Sequence, residues 1–85
     1  MKHYADASFW YHYRRLPENI QHLADKNFEL LKFDPRHASL RFKKISADGW
    51  SARVGLHYRA LAIECEDGFL WTWIGHHSEY DRLIS

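Results

Sequence analysis

The chain has 85 residues, 46% of them hydrophobic and 14 of them aromatic. That length suits one small domain, residues 1–85, and the aromatic content excludes a disordered chain. The net charge is only +1, and no apolar run nears the roughly 20 residues of a spanning helix, so no membrane partner is expected. The single cysteine, Cys65, allows neither an intrachain disulfide nor a multi-thiolate metal site. It is expected to be a small buried hydrophobe. The N-terminus lacks the apolar stretch of a signal peptide, so the expected compartment is the reducing cytoplasm.

In chain order, a short aromatic helix is predicted over residues 7–16, with Asp6 or Ser8 as its N-cap. Phe9, Trp10 and Tyr13 share one side of it. Leu16-Pro17-Glu18 is a break and a new start: Pro17 suits the first helical position and Glu18 complements the dipole. From Ile20 the apolar residues Leu23, Ala24, Phe28 and Leu31 follow a 3.6-residue period interrupted by Asn27. Asp34-Pro35 ends that helix.

The remainder alternates with period two. Residues 39–45 place Leu40 and Phe42 on one face and Arg41 and Lys43 on the other. Ser46-Ala47-Asp48-Gly49 is a hairpin turn. Residues 50–55 turn Trp50, Ala52 and Val54 inward, and Ser51 and Arg53 outward. Residues 58–65 are apolar on both faces apart from Arg59 near the start and Glu64 near the end, as befits a central strand. Glu66-Asp67-Gly68 is a second turn, its Asp-Gly supplying positive φ. Residues 69–75 make a last strand, and residues 78–83 suit one closing helical turn. The sum is an α+β domain: an N-terminal helical hairpin packed on a four-stranded antiparallel sheet, with room for a short N-terminal strand.

Charge is unevenly spread. Residues 36–59 carry Arg36, Arg41, Lys43, Lys44, Arg53 and Arg59 against Asp48 alone, while residues 60–85 carry a net −4. A basic middle on a near-neutral chain points to a face for a polyanion, although a charge cluster alone is more often a solvated face. RNA cleavage needs a base, an acid, positive charge on the phosphate and a stacking surface. Histidine, arginine and aromatic side chains supply these. His76, His77 and Tyr80 at the end of the last strand are the acid–base candidates, weighed against a solvated loop. A zinc site there is disfavoured, because adjacent strand residues point oppositely and no third ligand stands at useful spacing. Arg59 has no acidic sequence neighbour, which favours a groove over a salt bridge. Trp50, Trp71 and Trp73 are expected in the core.

Three stretches, FWYHYRRLPENIQHLADKNFELLKFDPRHASLRFKKI, WSARVGLHYRALAI and WTWIGHHSEYDRLI, resemble the RelE/ParE superfamily of type II toxins, in particular its short ParE-like branch. The Leu-Pro start, the Asp-Pro-x-His-x-Ser-Leu segment, the Tyr-Arg strand and the Ile-Gly-His-His-x-x-Tyr end stand in the family's order. The resemblance implies a toxin paired with an antitoxin bearing an acidic, partly disordered tail. It implies either a ribosome-dependent mRNA endonuclease or an inhibitor of DNA gyrase without nuclease activity, and a third possibility is a member that has lost toxicity. The first is the favoured expectation, a metal-independent endoribonuclease with no cofactor. In it Arg53 and Arg59 hold the scissile phosphate, His77 moves the proton with His76 and Tyr80 in support, and Arg41, Lys43 and Lys44 hold RNA backbone. Ser51 and Ala52 stand where RelE has a lysine pair.

Overall fold

A computed structural model describes all residues, Met1–Ser85. Its elements are β1 (Lys2–Ala5), α1 (Ala7–Arg14), α2 (Glu18–Phe33), a 3-10 turn (Ala38–Leu40), β2 (Lys43–Lys44), β3 (Gly49–Val54), β4 (Tyr58–Cys65), β5 (Gly68–His76) and α3 (His77–Ile84). The sheet order is β1-β5-β4-β3-β2. The central strand is β4, as its two apolar faces predict. The four antiparallel strands β2 to β5 are present, and the short N-terminal strand allowed for is β1, which runs parallel to β5 and makes the sheet mixed. The parallel strand carries no alternation of its own to announce it, since its four residues borrow their pairing from β5.

The helix signals are local, and they act as expected except that Pro17 is the N-cap of α2 rather than its first residue. Asp6 caps α1, its carboxylate accepting from the Phe9 N–H at 2.9 Å. Pro17 stands just ahead of α2, and the Pro17 carbonyl accepts from Ile20 and Gln21. Asn27, which breaks the apolar period, donates to the Arg53 carbonyl at 3.4 Å and ties the helix to the sheet. The hairpin closes loosely. Leu31 is the only buried residue of α2 and α1 has none. An apolar cavity of about 280 Å³ opens between helices and sheet, lined by Phe9, Tyr13, Phe28, Leu31, Trp71 and Ile74 among others.

Three local expectations are corrected. Residues 39–45 are not one strand: Leu40 ends a 3-10 turn and is 1% exposed, and only Lys43–Lys44 pair with β3. Burying Leu40 in the core outweighs extending a two-sided edge strand. The turn at Glu66-Asp67 has no residue at positive φ. Gly68 is required instead by β1, because a Cβ there would overlap the Lys2 carbonyl. Cys65 is exposed, not buried, because β4 runs past the helical layer at that end.

The last strand also departs from strict alternation. Leu61 pairs with Trp73 and Ala62 with Trp71, so Thr72 is an extra, bulged residue. A bulge of this kind sends the two flanking side chains to opposite faces. Trp71 joins Ala52, Ala60, Ala62 and Ile74 in the core under the hairpin. Trp73 is buried too but lies outside that cluster, on the face that α3 crosses, beside Gly75.

His3 on β1 gives the fold a pH dependence. The Trp71 indole N–H donates to His3 Nδ1 at 3.0 Å, so Nδ1 must be unprotonated. Burial, then the terminal ammonium and Lys32, lowers the His3 pKa below its ordinary 6.5. The unfolded chain therefore binds this proton first, and stability falls as pH drops from about 6.5 toward the lowered folded value. His3→Asn keeps an acceptor without a titrating proton. Melting temperature plotted against pH is expected to fall less steeply between pH 7 and 5 in this variant; equal slopes would remove His3 as the cause.

Candidate functional site

The face of the sheet away from the hairpin is set by β3 and β4. Arg53 and Arg59 are direct cross-strand partners, and Lys43 on β2 is opposite Ser51. Alternation therefore puts Lys43, Ser51, Arg53 and Arg59 on one face. Arg41 reaches the same place from the end of the 3-10 turn, and α3 lays Tyr80 and Asp81 along it. These seven residues line a cleft of about 180 Å³. Ser51, expected to face outward into solvent, is only 3% exposed because the cleft walls cover it.

The cleft sets four cationic side chains against one carboxylate, Asp81, which stands 3.7 Å from His77 and forms no ion pair with any of the four. None of Arg41, Lys43, Arg53 or Arg59 takes part in an ion pair. Like charges directly opposite on neighbouring strands repel, and here they are left without a counter-charge between them. Desolvation, then the charges of Arg41 and Arg59, pulls the Arg53 pKa below its ordinary value. The Arg53 Nε–H is buried without any hydrogen-bond partner. Arg59 donates through Nη1 to the carbonyls of Tyr58 at 2.8 Å and Leu56 at 3.3 Å, not to a carboxylate. A guanidinium keeps its charge under these conditions, so the cleft remains a site of positive potential with spare donors.

Arg41 is held under strain. It is the only non-glycine residue with positive φ, at φ 43° and ψ 43°, a conformation that costs on the order of 1 kcal/mol or more in a residue bearing a Cβ. Arg41→Gly is expected to raise the melting temperature while weakening polyanion binding. A variant that melts lower would show that the side chain, not the backbone, decides stability here.

Other candidates are placed elsewhere. Lys44 points away from the cleft and pairs with Glu64 at 3.1 Å. Glu64 also accepts from the Trp50 indole at 2.6 Å, and these contacts hold its carboxyl below the usual carboxylate range. His76 and His77 do not line the cleft. His76 caps α3, its Nδ1 accepting from the Ser78 N–H at 3.2 Å. His77 opens that helix, with Nδ1 3.7 Å from Asp81 Oδ2, so it stands one turn ahead of the residue that enters the cleft. The closing segment is two helical turns, not one. Sequence reasoning passed over Ser51, Asp81 and His57. The first two carried a readable signal, Ser51 as the partner of Lys43 in a hairpin and Asp81 at i+4 from His77. His57 carried none, because its neighbours come from distant sequence.

A helical hairpin lies on one face of a mixed sheet, and a cationic cleft under a C-terminal helix lies on the other, in an α+β architecture. The fold is that of the RelE and YoeB/ParE toxins. The chain superposes on a chain of the RelB–RelE antitoxin–toxin complex of Methanococcus jannaschii with a TM-score of 0.71 and 20% identity, over 93% of this chain and 96% of that one. For a YoeB/ParE toxin from Agrobacterium tumefaciens the values are 0.67 and 17%, over 91% and 99%. For the isolated E. coli RelE toxin they are 0.64 and 14%, over 98% and 97%. No protein-family model and no curated protein matches the sequence. No helix is long and apolar enough to cross a membrane.

Proposed function

We propose that the protein is the toxin of a type II toxin–antitoxin system, acting in the cytoplasm as a ribosome-dependent mRNA endonuclease. The observation that carries this reading is the in-register Arg53–Arg59 pair, unneutralised and with the Arg53 Nε–H unpartnered, in a cleft large enough for a phosphate. An RNA phosphodiester supplies the missing acceptors. Its non-bridging oxygens take the arginine N–H groups, which gain most when charge builds up on pentacoordinate phosphorus. Attack by the 2′-oxygen forms the new P–O bond, its proton passes to a base, and the 5′-oxygen leaves with a proton from an acid. Tyr80 in the cleft wall and His77 one turn earlier on α3 are assigned these proton transfers, with His76 in support. Arg41 and Lys43 hold the neighbouring backbone. Lys44 would have to leave Glu64 to join them.

The same charge invites an antitoxin. An acidic segment laid over the cleft relieves the repulsion and masks the arginines, and the M. jannaschii structure is of an antitoxin–toxin complex. Purified protein added to translating ribosomes should cut mRNA, read by primer extension. Intact mRNA with inhibited supercoiling by DNA gyrase would transfer the assignment to the second reading. That reading is favoured by the position of His76 and His77 outside the cleft.

A further inference from the structure

We propose that His57, His76 and His77 form a binding site for one divalent ion of the zinc class. The three come from three elements: the β3–β4 turn, the last residue of β5 and the first residue of α3. One ring nitrogen of each lies within 4.8 Å of the others. The rings of His76 and His77 are 4.5 Å apart between centroids, and His57 lies 6.2 Å and 6.1 Å from them. Adjacent strand residues would point apart. Here the strand ends between them, so the change to helix swings His77 to the side of His76. The backbone beneath is fixed: the His77 N–H donates to the His57 carbonyl at 2.8 Å, and Tyr58 is the strand partner of His76.

A tetrahedral ion with Zn–N bonds of about 2.0–2.1 Å sets its nitrogens about 3.3 Å apart. The observed spacing needs a closure of roughly 1.5 Å at most by comparison with that geometry, which side-chain rotation of half-exposed rings can supply. One orienting partner is in hydrogen-bond contact and a second stands just beyond it. Ser78 Oγ is 3.0 Å from His76 Nδ1, and Asp81 Oδ2 is 3.7 Å from His77 Nδ1. An acceptor on Nδ1 fixes the tautomer that leaves Nε2 for the ion. In that tautomer His76 Nδ1–H donates to Ser78 Oγ and releases the Ser78 N–H it caps. Three imidazoles without a thiolate or a carboxylate suit Zn²⁺, Ni²⁺ or Cu²⁺ and not Mg²⁺ or Ca²⁺. Cys65 is at the far end of β4 and takes no part. The fourth position is open to water. A bound ion would tie the β3–β4 turn to the start of α3, the helix that carries Tyr80 and Asp81 into the cleft. On the nuclease reading it would also withdraw His76 and His77 from proton transfer, so zinc would inhibit cleavage; the site itself does not depend on that reading.

The test is calorimetric titration of tag-free, chelator-washed protein with Zn²⁺, together with the absorption spectrum of the Co²⁺ form. One ion per chain and a tetrahedral Co²⁺ spectrum are expected. H57Q should weaken binding by more than about tenfold and abolish the zinc-induced rise in melting temperature. H22Q, at an exposed position on α2, should bind as the wild type does. Wild-type affinity in H57Q, or loss of binding in H22Q, overturns the site. Failure of the nuclease reading would show separately, as no cleavage by the metal-free protein while the zinc titration stands.

Discussion

Arg59→Ala and Arg53→Gln are each expected to lower mRNA cleavage by about 10²–10³, the usual loss on removing one donor to a developing oxyanion. The fold should survive both. Arg59 has no acidic partner, only the carbonyls of Leu56 and Tyr58, and those lie where water can replace the guanidinium. A buried carboxylate left unpaired would cost about 3–5 kcal/mol, and nothing of the kind faces Arg59. Truncation instead removes one of two like charges opposed across the sheet. The melting temperature is therefore expected to hold or rise, whereas a loss of even 1 kcal/mol would lower it by about 4–8 °C. The measurement pairs a cleavage assay on ribosomes with a melting curve. A stable variant with full activity removes Arg59 from the chemistry, and an unstable one makes it a structural residue. The double variant should lose little more than either single one, because the two arginines hold the same phosphate and act as a unit.

Trp71→Ala has the largest expected effect on stability, about 3–5 kcal/mol. For a chain of this length the whole stability is roughly 4–13 kcal/mol, so the variant is expected to lose a large fraction of it. Trp71 is 6% exposed, touches the Phe42 and His3 rings, and lines the cavity already present under the hairpin. Removing the indole enlarges that void, and a loosely closed helical layer has little left to collapse into it. His3 also loses the donor to its Nδ1. Trp71→Phe keeps most of the ring and forfeits mainly that bond, about 1 kcal/mol. Chemical denaturation of the three proteins separates the two contributions. A Trp71→Phe variant as damaged as Trp71→Ala would show that the hydrogen bond, not the packing, dominates.

Much of the fold is legible in the residues because its signals are local. Asp6 caps the helix that follows it through an N–H three residues on, Pro17 precedes the next one and Asp34-Pro35 stops it, and none of these needs a distant partner. The central strand announces itself through apolar side chains on both faces. The basic wall of the cleft is legible for a related reason. Alternation turns Arg53 outward, and an arginine on an otherwise apolar strand points to a groove at Arg59. Their register rests on the turn: a strand ending at 55 would set Arg53 opposite Ala60, and β3 ends instead at Val54, opposite Tyr58.

Where pairing involves distant segments, the chain alone is silent. Strand β1 is joined to β5 from the other end of the sequence, and Gly68 is needed for that approach rather than for its turn. The Thr72 bulge separates Trp71 from Trp73 although strict alternation puts them together. Leu40 leaves the predicted strand because a core position stabilises it more than an edge pairing would. His57 meets His76 and His77 only because three elements end at one corner of the sheet. In these places burial and strand register, set by contacts far apart in sequence, overrode the local pattern. The helix starts, the central strand and the outward arginines were determined by the sequence itself, and the register that pairs the two arginines was not. Only the tertiary structure decided the cleft's lid, the histidine corner and the side of the sheet on which each tryptophan lies.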